Sequence, residues 1–179
     1  MLEESCRLLA RWSHDQRTAQ LEMSVNVSSA QFHRPDFVEQ VLEVLKQTGA
    51  PATRLRLELT ESMLLSDVEG TIEKMQRLRE AGVSFALDDF GTGYSSLSYL
   101  HRLPIDQLKI DRSFISVNGH GAAIVRMIIA LAKTMNMSVL AEGVETEEQL
   151  AFITAEGGHC YQGYLFSKPV PEALLAGML

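Results

Sequence analysis

Leu55-Arg56-Leu57-Glu58-Leu59-Thr60 alternates strictly between aliphatic and polar side chains. Successive side chains of an extended chain point to opposite faces, so the three leucines share one face and Arg56, Glu58 and Thr60 the other. The same parity recurs. Met23, Val25 and Val27 oppose Ser24, Asn26 and Ser28, and Phe85 and Leu87 oppose Ser84, Ala86 and Asp88. Leu108 and Ile110 oppose Gln107, Lys109 and Asp111, while Val139 and Ala141 oppose Ser138, Leu140 and Glu142. A weaker sixth strand sits near His159 to Gly163. Helical patterns fill the intervals: Leu2 to Trp12, Pro35 to Gln47 closed by Gly49, and the stripe Val68, Ile72, Met75 and Leu78. Ser66-Asp67-Val68-Glu69 and Thr146-Glu147-Glu148-Gln149 read as capping boxes that open helices. Further helical stretches are expected near Ser95 to His101, from Ala122 to Met135, and from Pro171.

Strands alternating with helices imply an α/β chain with a largely parallel sheet. An alternating strand ordinarily turns one face to water. Here the helices need an apolar sheet face to cover, which the aliphatic phase supplies, so the polar phase is left facing an interior. Polar groups are tolerated there when they pair, bind a cation or line a mouth. A parallel barrel with its site at the carboxyl ends of the strands meets those terms, whereas a doubly wound open sheet wants both faces apolar. The count falls short, because a (β/α)8 barrel has eight strands and about 250 residues. Six strands in 179 residues, after a helix-first start, predict an incomplete barrel, and residues 1–179 read as a single domain lacking its N-terminal strands.

Composition narrows the function classes. With 46% hydrophobic and 22% charged residues the chain reads as soluble and globular, and no apolar run is long enough to span a bilayer. Nothing at the start resembles a signal peptide, and a cytoplasmic location is expected, although a longer parent could be anchored elsewhere. A net charge of −7 argues against a basic face that grips a nucleic-acid polymer. The two cysteines, Cys6 and Cys160, match no metal or redox spacing and read as buried thiols.

Chemistry concentrates at Asp88-Asp89-Phe90-Gly91-Thr92-Gly93-Tyr94, where two adjacent carboxylates end a strand and run into a glycine loop. Strand parity starts the two aspartates on opposite faces, so a bend at Gly91 must bring them round. Two such charges repel unless a cation neutralises them. The plainer alternative is a turn-capping Asp88 beside a solvated Asp89. His14, His33, His101, His120 and His159 are scattered without ligand spacing and suit surface or core roles. Ser95-Ser96 lacks a matched histidine, Gly119-His120-Gly121 reads as a flexible loop, and Met127, Met135 and Met137 read as core filling.

The ordered blocks Asn26-Val27-Ser28, Glu58-Leu59-Thr60-Glu61-Ser62, Asp88 through Leu97, Lys109-Ile110-Asp111, Glu142-Gly143-Val144-Glu145-Thr146 and Gln162-Gly163-Tyr164 closely resemble the EAL-domain family. Its members are bacterial cyclic di-GMP phosphodiesterases built on a modified (β/α)8 TIM-like barrel, and the resemblance covers essentially the whole chain. It implies a two-metal Mg²⁺ or Mn²⁺ site in which Asn26, Glu58 and Asp88 hold one ion and Asp89 holds a second beside the bridging Asp88. By the same resemblance Lys109 contacts the attacking water and Glu145 orients or deprotonates it. Gln162 sits at the same mouth, while Glu142 buttresses the loop. Asp111 falls among the matched positions. Glu61 would tie down the loop from Phe90 to Ser96, with Gly91, Thr92, Gly93 and Tyr94, which in relatives contributes to substrate binding and to a dimer interface. The chemistry is coherent in itself, since two hard cations ~3.5–4 Å apart can activate water and neutralise phosphoryl charge.

One departure matters. The family's Glu-Ala-Leu tripeptide, expected upstream of Asn26 with a metal carboxylate, is not found there, and Ala141-Glu142-Gly143 is no substitute. An open first metal site predicts an impaired enzyme, or a non-catalytic module that binds cyclic di-GMP or a protein. It also suits a piece of a larger protein carrying sensor or diguanylate cyclase domains. Unpaired edges at the Met23 strand and near Gln162 predict homodimers or other self-association. Light scattering of the purified chain is expected to show a species larger than one chain, and a sharply melting monomer counts against this.

Overall fold

The computed structural model describes residues 1–64, 67–91, 97–115, 120–175 and 178, with only the backbone at 97, 98 and 120. Its helices and strands run α1 (Leu2–Trp12), β1 (Met23–Asn26), α2 (Ser29–Phe32), α3 (Phe37–Thr48), β2 (Leu55–Thr60), α4 (Glu61–Leu64), α5 (Val68–Glu80) and β3 (Ser84–Phe90). They continue with α6 (Leu97–Leu100), β4 (Gln107–Ile110), α7 (His120–Thr134), β5 (Ser138–Glu142), α8 (Glu147–Ala155), β6 (Cys160–Gln162) and α9 (Glu172–Leu175). The strand order is the sequence order, with β1 and β6 at its two ends. The chain forms two compact units, Met1–Ala86 with Leu97–Ile105, and Leu87–Ser96 with Asp106–Leu179.

In the first unit β1 and β2 pair in parallel, Met23 opposite Leu55 and Asn26 opposite Glu58. Leu55, Leu57 and Leu59 are all fully buried, the aliphatic phase expected from the alternation. Each such side chain contributes about 1.5–3 kcal/mol by leaving water. Glu58, on the other phase, is also buried, so both faces of β2 are enclosed at its carboxyl end. Helix α1 packs on α3 and α3 on α5. Gly49 closes α3 at φ 69°, a left-handed value that glycine adopts without a Cβ penalty. The α5 cap differs from expectation: Asp67, not Ser66, is the N-cap, its Oδ1 accepting the Gly70 N–H at 3.1 Å. Ser66 lies outside the described residues.

One turn of helix, α2, follows directly on β1. Ser28 caps it, with the Gln31 side chain closing the box on the Ser28 backbone. At its other end Lys74 of α5 donates to the carbonyls of Phe32 at 2.9 Å and Arg34 at 3.1 Å, with its ammonium 5.5 Å from the Phe32 ring centroid. The turn that leads away from Asn26 is therefore held at both ends.

The second unit carries the rest of β3 and β4 to β6. β4 pairs in parallel with β5, Gln107 opposite Ser138 and Ile110 opposite Ala141, and β5 with β6, Glu142 opposite Gln162. Leu108, Ile110, Val125, Ile128, Ala132 and Ala141 are buried. At the amino end of β4 the amide of Gln107 donates to Ser138 Oγ at 3.2 Å, and that hydroxyl donates to the Asp106 carbonyl at 3.1 Å. Buried polar groups are thus satisfied by neutral partners there. Thr146 and Gln149 form the capping box read from the sequence.

Three expectations fail in this unit. Met127 is 57% exposed and not core filling, because the sequence did not show which face of α7 it occupies. Cys160 on β6 is exposed, whereas Cys6 is buried as expected and burial raises its thiol pKa. His120 and Gly121 open α7 in place of a flexible loop. Among the described residues no helix is long and apolar enough to cross a membrane.

Leu57→Ala removes a side chain with no room to relax toward solvent. It is expected to lower unfolding stability by about 2–5 kcal/mol in urea titrations. A loss below about 1 kcal/mol would show that the β2 leucines are not central to packing.

Candidate functional site

Lys109 sits mid-strand on β4 with its side chain only 3% exposed. An ammonium removed from water keeps its charge only with close partners. It lies 3.1 Å from Asp88 Oδ1 on β3 and 2.8 Å from Glu142 Oε1 on β5. Its strand neighbour in register is Leu140. The four-carbon stem carries the charge from mid-β4 to the carboxyl ends of β3 and β5.

Asp88, Asp89 and Glu142 each offer a carboxylate oxygen, and these lie within 4.8 Å of one another. Adjacent strand residues converge only if the backbone turns over between them. That turn is made at Asp89 itself, which adopts φ 55°, and is continued by Gly91 at φ 93°. The expectation placed the bend at Gly91 alone. Aspartate is among the few residues that visit the left-handed region readily, which fits it for this step. The Asp89 N–H donates back to Asp88 Oδ1 at 3.1 Å and fixes that carboxylate.

Glu142 is the residue the sequence reading undervalued as a loop buttress. The structure puts it in the cluster and against Lys109. The available signal was its phase: it shares a strand face with Ser138 and Leu140, as Lys109 does with Gln107. Gly143 follows at φ 65°, and a Cβ there would stand 2.5 Å from Arg112 Cβ, so only glycine lets β5 leave along this path.

Around the cluster, Asp111 accepts the Ser113 N–H at 2.9 Å and caps the 3-10 turn Arg112–Phe114. Burial pushes the Asp111 carboxyl upward, but the hydrogen bonds from Ser113 and Arg112 and the Arg112 charge outweigh it and leave its pKa below the usual range. Glu145 is exposed one residue before the Thr146 cap. Its N–H donates to Gln149 Oε1 at 2.7 Å, the Thr146 N–H donates to the same oxygen at 3.1 Å, and Gln149 Nε2 reaches the Ile115 carbonyl at 3.1 Å. Gln162 is exposed beside Glu142 in register, and its carbonyl accepts the Val144 N–H at 3.1 Å.

The second unit thus brings together Asp88, Asp89, Lys109 and Glu142, with Asp111, Glu145 and Gln162 on the same strand ends or the segments after them. Phe90 is buried and Gly91 half-buried. Asn26 and Glu58 are cross-strand neighbours in the first unit, where Glu61 opens α4. Thr92, Gly93 and Tyr94, like Ser95 and Ser96, lie outside the described residues. The letters Glu-Ala-Leu do occur in the chain, at Glu172-Ala173-Leu174, but on the exposed α9 and not on a strand before Asn26.

Three carboxylates lie together, two of them against one ammonium, which leaves surplus negative charge among hard oxygen donors. That donor set fits Mg²⁺, Mn²⁺ or Ca²⁺ and not a soft metal.

Comparison with known proteins agrees with this chemistry. A family model described as EAL domain matches residues 1–169. Cyclic di-GMP phosphodiesterase NbdA of Pseudomonas aeruginosa is 44% identical over 182 residues, covering 100% of this chain and 23% of that protein. The bifunctional diguanylate cyclase/cyclic di-GMP phosphodiesterase MucR of the same organism is 42% identical, covering 99% and 26%. The solved PaMucR phosphodiesterase in complex with c-di-GMP matches at TM-score 0.92 and 41% identity, covering 97% of this chain and 71% of that one. Klebsiella pneumoniae BlrP1, solved as a manganese/cyclic di-GMP complex, matches at TM-score 0.80 and 29% identity, covering 94% and 44%. The expected EAL-type α/β fold with six strands is borne out. The chain spans about a quarter of the length of the curated relatives it matches.

Asp89 supplies a test of the cluster's electrostatics. Partial loss of hydration, then the charges of Asp88 and Asp111, raise its pKa against the opposing pull of Lys109. A carboxyl with a raised folded pKa binds more protons folded than unfolded, so its contribution to stability falls as pH rises through that window. Asp89→Asn removes the charge and keeps a residue tolerant of φ 55°. Without added metal it is expected to melt higher than the parent at about pH 7, with the gap closing toward about pH 4. A variant that melts lower near neutral pH would contradict the charge balance described.

Proposed function

The chain belongs to the EAL domain family, and on that premise we propose that it hydrolyses cyclic di-GMP to linear pGpG with two divalent metals, Mg²⁺ or Mn²⁺. The observation that carries this reading is the Asp88, Asp89 and Glu142 cluster gathered on a buried Lys109. Further support comes from the relatives, named as cyclic di-GMP phosphodiesterases or solved with that nucleotide and manganese.

Asp88, Asp89 and Glu142 would hold the metal charge. Asn26 and Glu58 are the further oxygen donors that the family assigns to it. When bound, the divalent ions neutralise charge on the phosphoryl oxygens and ease deprotonation of the attacking water. Lys109 adds a positive charge that offers a hydrogen bond to that water and stabilises the charge that develops in the transition state. Glu145 is the general base. It is exposed, and the Gln149 bonds to its own and the next amide hold its backbone in place. A carboxylate so placed can accept a proton and release it to solvent. Gln162, beside Glu142, and the Phe90 to Tyr94 segment orient the nucleotide.

Incubation with cyclic di-GMP and Mn²⁺, followed by chromatography, is expected to yield pGpG. EDTA should abolish the product, and Asp88→Ala should lower the rate by about a hundredfold or more. Nucleotide binding without any product would overturn the enzymatic reading in favour of a binding module.

A further inference from the structure

On the premise that the carboxylate cluster takes divalent metal, Lys109 acquires a second role. We infer that its ammonium is a built-in counter-cation of the cluster, which assembles the carboxylates and competes with metal for them, so that Lys109 sets the metal affinity of the site.

Geometry supplies the first ground. Lys109 contacts two of the clustered carboxylates, Asp88 at 3.1 Å and Glu142 at 2.8 Å. A cation entering among these oxygens comes within a few ångströms of a positive charge, and at 3% exposure little water screens the pair. Carboxylate lone pairs directed at the ammonium are unavailable to the metal until the lysine swings away or shares them.

The second ground is what the cluster would be without that charge. Asp88, Asp89 and Glu142 converge from β3 and β5, and like charges so close repel one another. An ammonium between them offsets the repulsion and draws both strand ends to one point. Lysine suits both tasks. Its compact charge rides on a flexible stem, whereas a guanidinium would hold a carboxylate through two bonds and be slow to yield it. Metal and lysine are thus coupled negatively, each weakening the other's hold on Asp88 and Glu142.

The test reads metal binding and stability, not turnover. Free Mn²⁺ is followed by electron paramagnetic resonance during titration of the parent, Lys109→Met and Lys109→Arg, with circular dichroism confirming that each is folded. Lys109→Met is expected to bind Mn²⁺ about tenfold tighter or more, within the usual range of coupling between two sites. It should also melt lower than the parent without metal and gain more from Mn²⁺. Lys109→Arg should stay at or below the parent affinity. Parent binding with unchanged or weaker binding by a folded Lys109→Met overturns this inference alone. Absence of Mn²⁺ binding by both overturns the metal reading with it. Should Lys109→Met fail to fold, lysine-¹⁵N resonances of the parent are followed as Mg²⁺ is added. A Lys109 signal that moves with saturation is the expected result, and one that stays fixed overturns the inference.

Discussion

A single ammonium group organises the second unit. Lys109 leaves water mid-strand on β4 and recovers its lost hydration from carboxylates on the strands before and after it, Asp88 and Glu142. Removing either partner would leave a buried charge poorly compensated, at a cost of about 3–5 kcal/mol. Two strand ends are therefore drawn to one point by a third. The polar phase of β3, β4 and β5 exists because these side chains answer one another, and the aliphatic phase is free to meet helices.

The two ends of β4 are built from different chemistry. At its amino end the buried amide of Gln107 donates to the Ser138 hydroxyl, which in turn donates to the Asp106 carbonyl, a relay of neutral groups. Two residues on, the contacts become ionic and the donors become hard oxygens. Neutral hydrogen bonds lie at one end of β4 and ionisable groups at the other, the division expected of parallel α/β sheets. The backbone follows it. Asp89 and Gly143 take up left-handed conformations where β3 and β5 deliver their carboxylates.

Much of this was legible in the chain. Parity located five strands because a period of two is a local property, and β4 begins at Gln107, where its alternation begins. The ordered motif blocks located Asp88, Asp89 and Lys109. What stayed hidden was set by contacts distant in sequence or by elements too short for a period. One turn of helix, α2, carries no periodicity, although Ser28 and Gln31 spelled its cap. Ser66 and Asp67 are both good caps, and only the backbone chose between them. Met127 and Cys160 are apolar by type but exposed by position. Glu142 was undervalued because its importance depends on the reach of Lys109 across a strand.

Gln149 joins parts of the molecule that would otherwise relax independently. Its side chain accepts from Glu145 and Thr146 and donates to Ile115, so the first turn of α8, the segment behind Glu142 and the end of the 3-10 turn share one residue. Helix ends normally fray on their own. Here fraying would release all three together, making them a cooperative opening unit in the sense of hydrogen exchange. The backbone of the candidate base is thereby tied to the first turn of a helix.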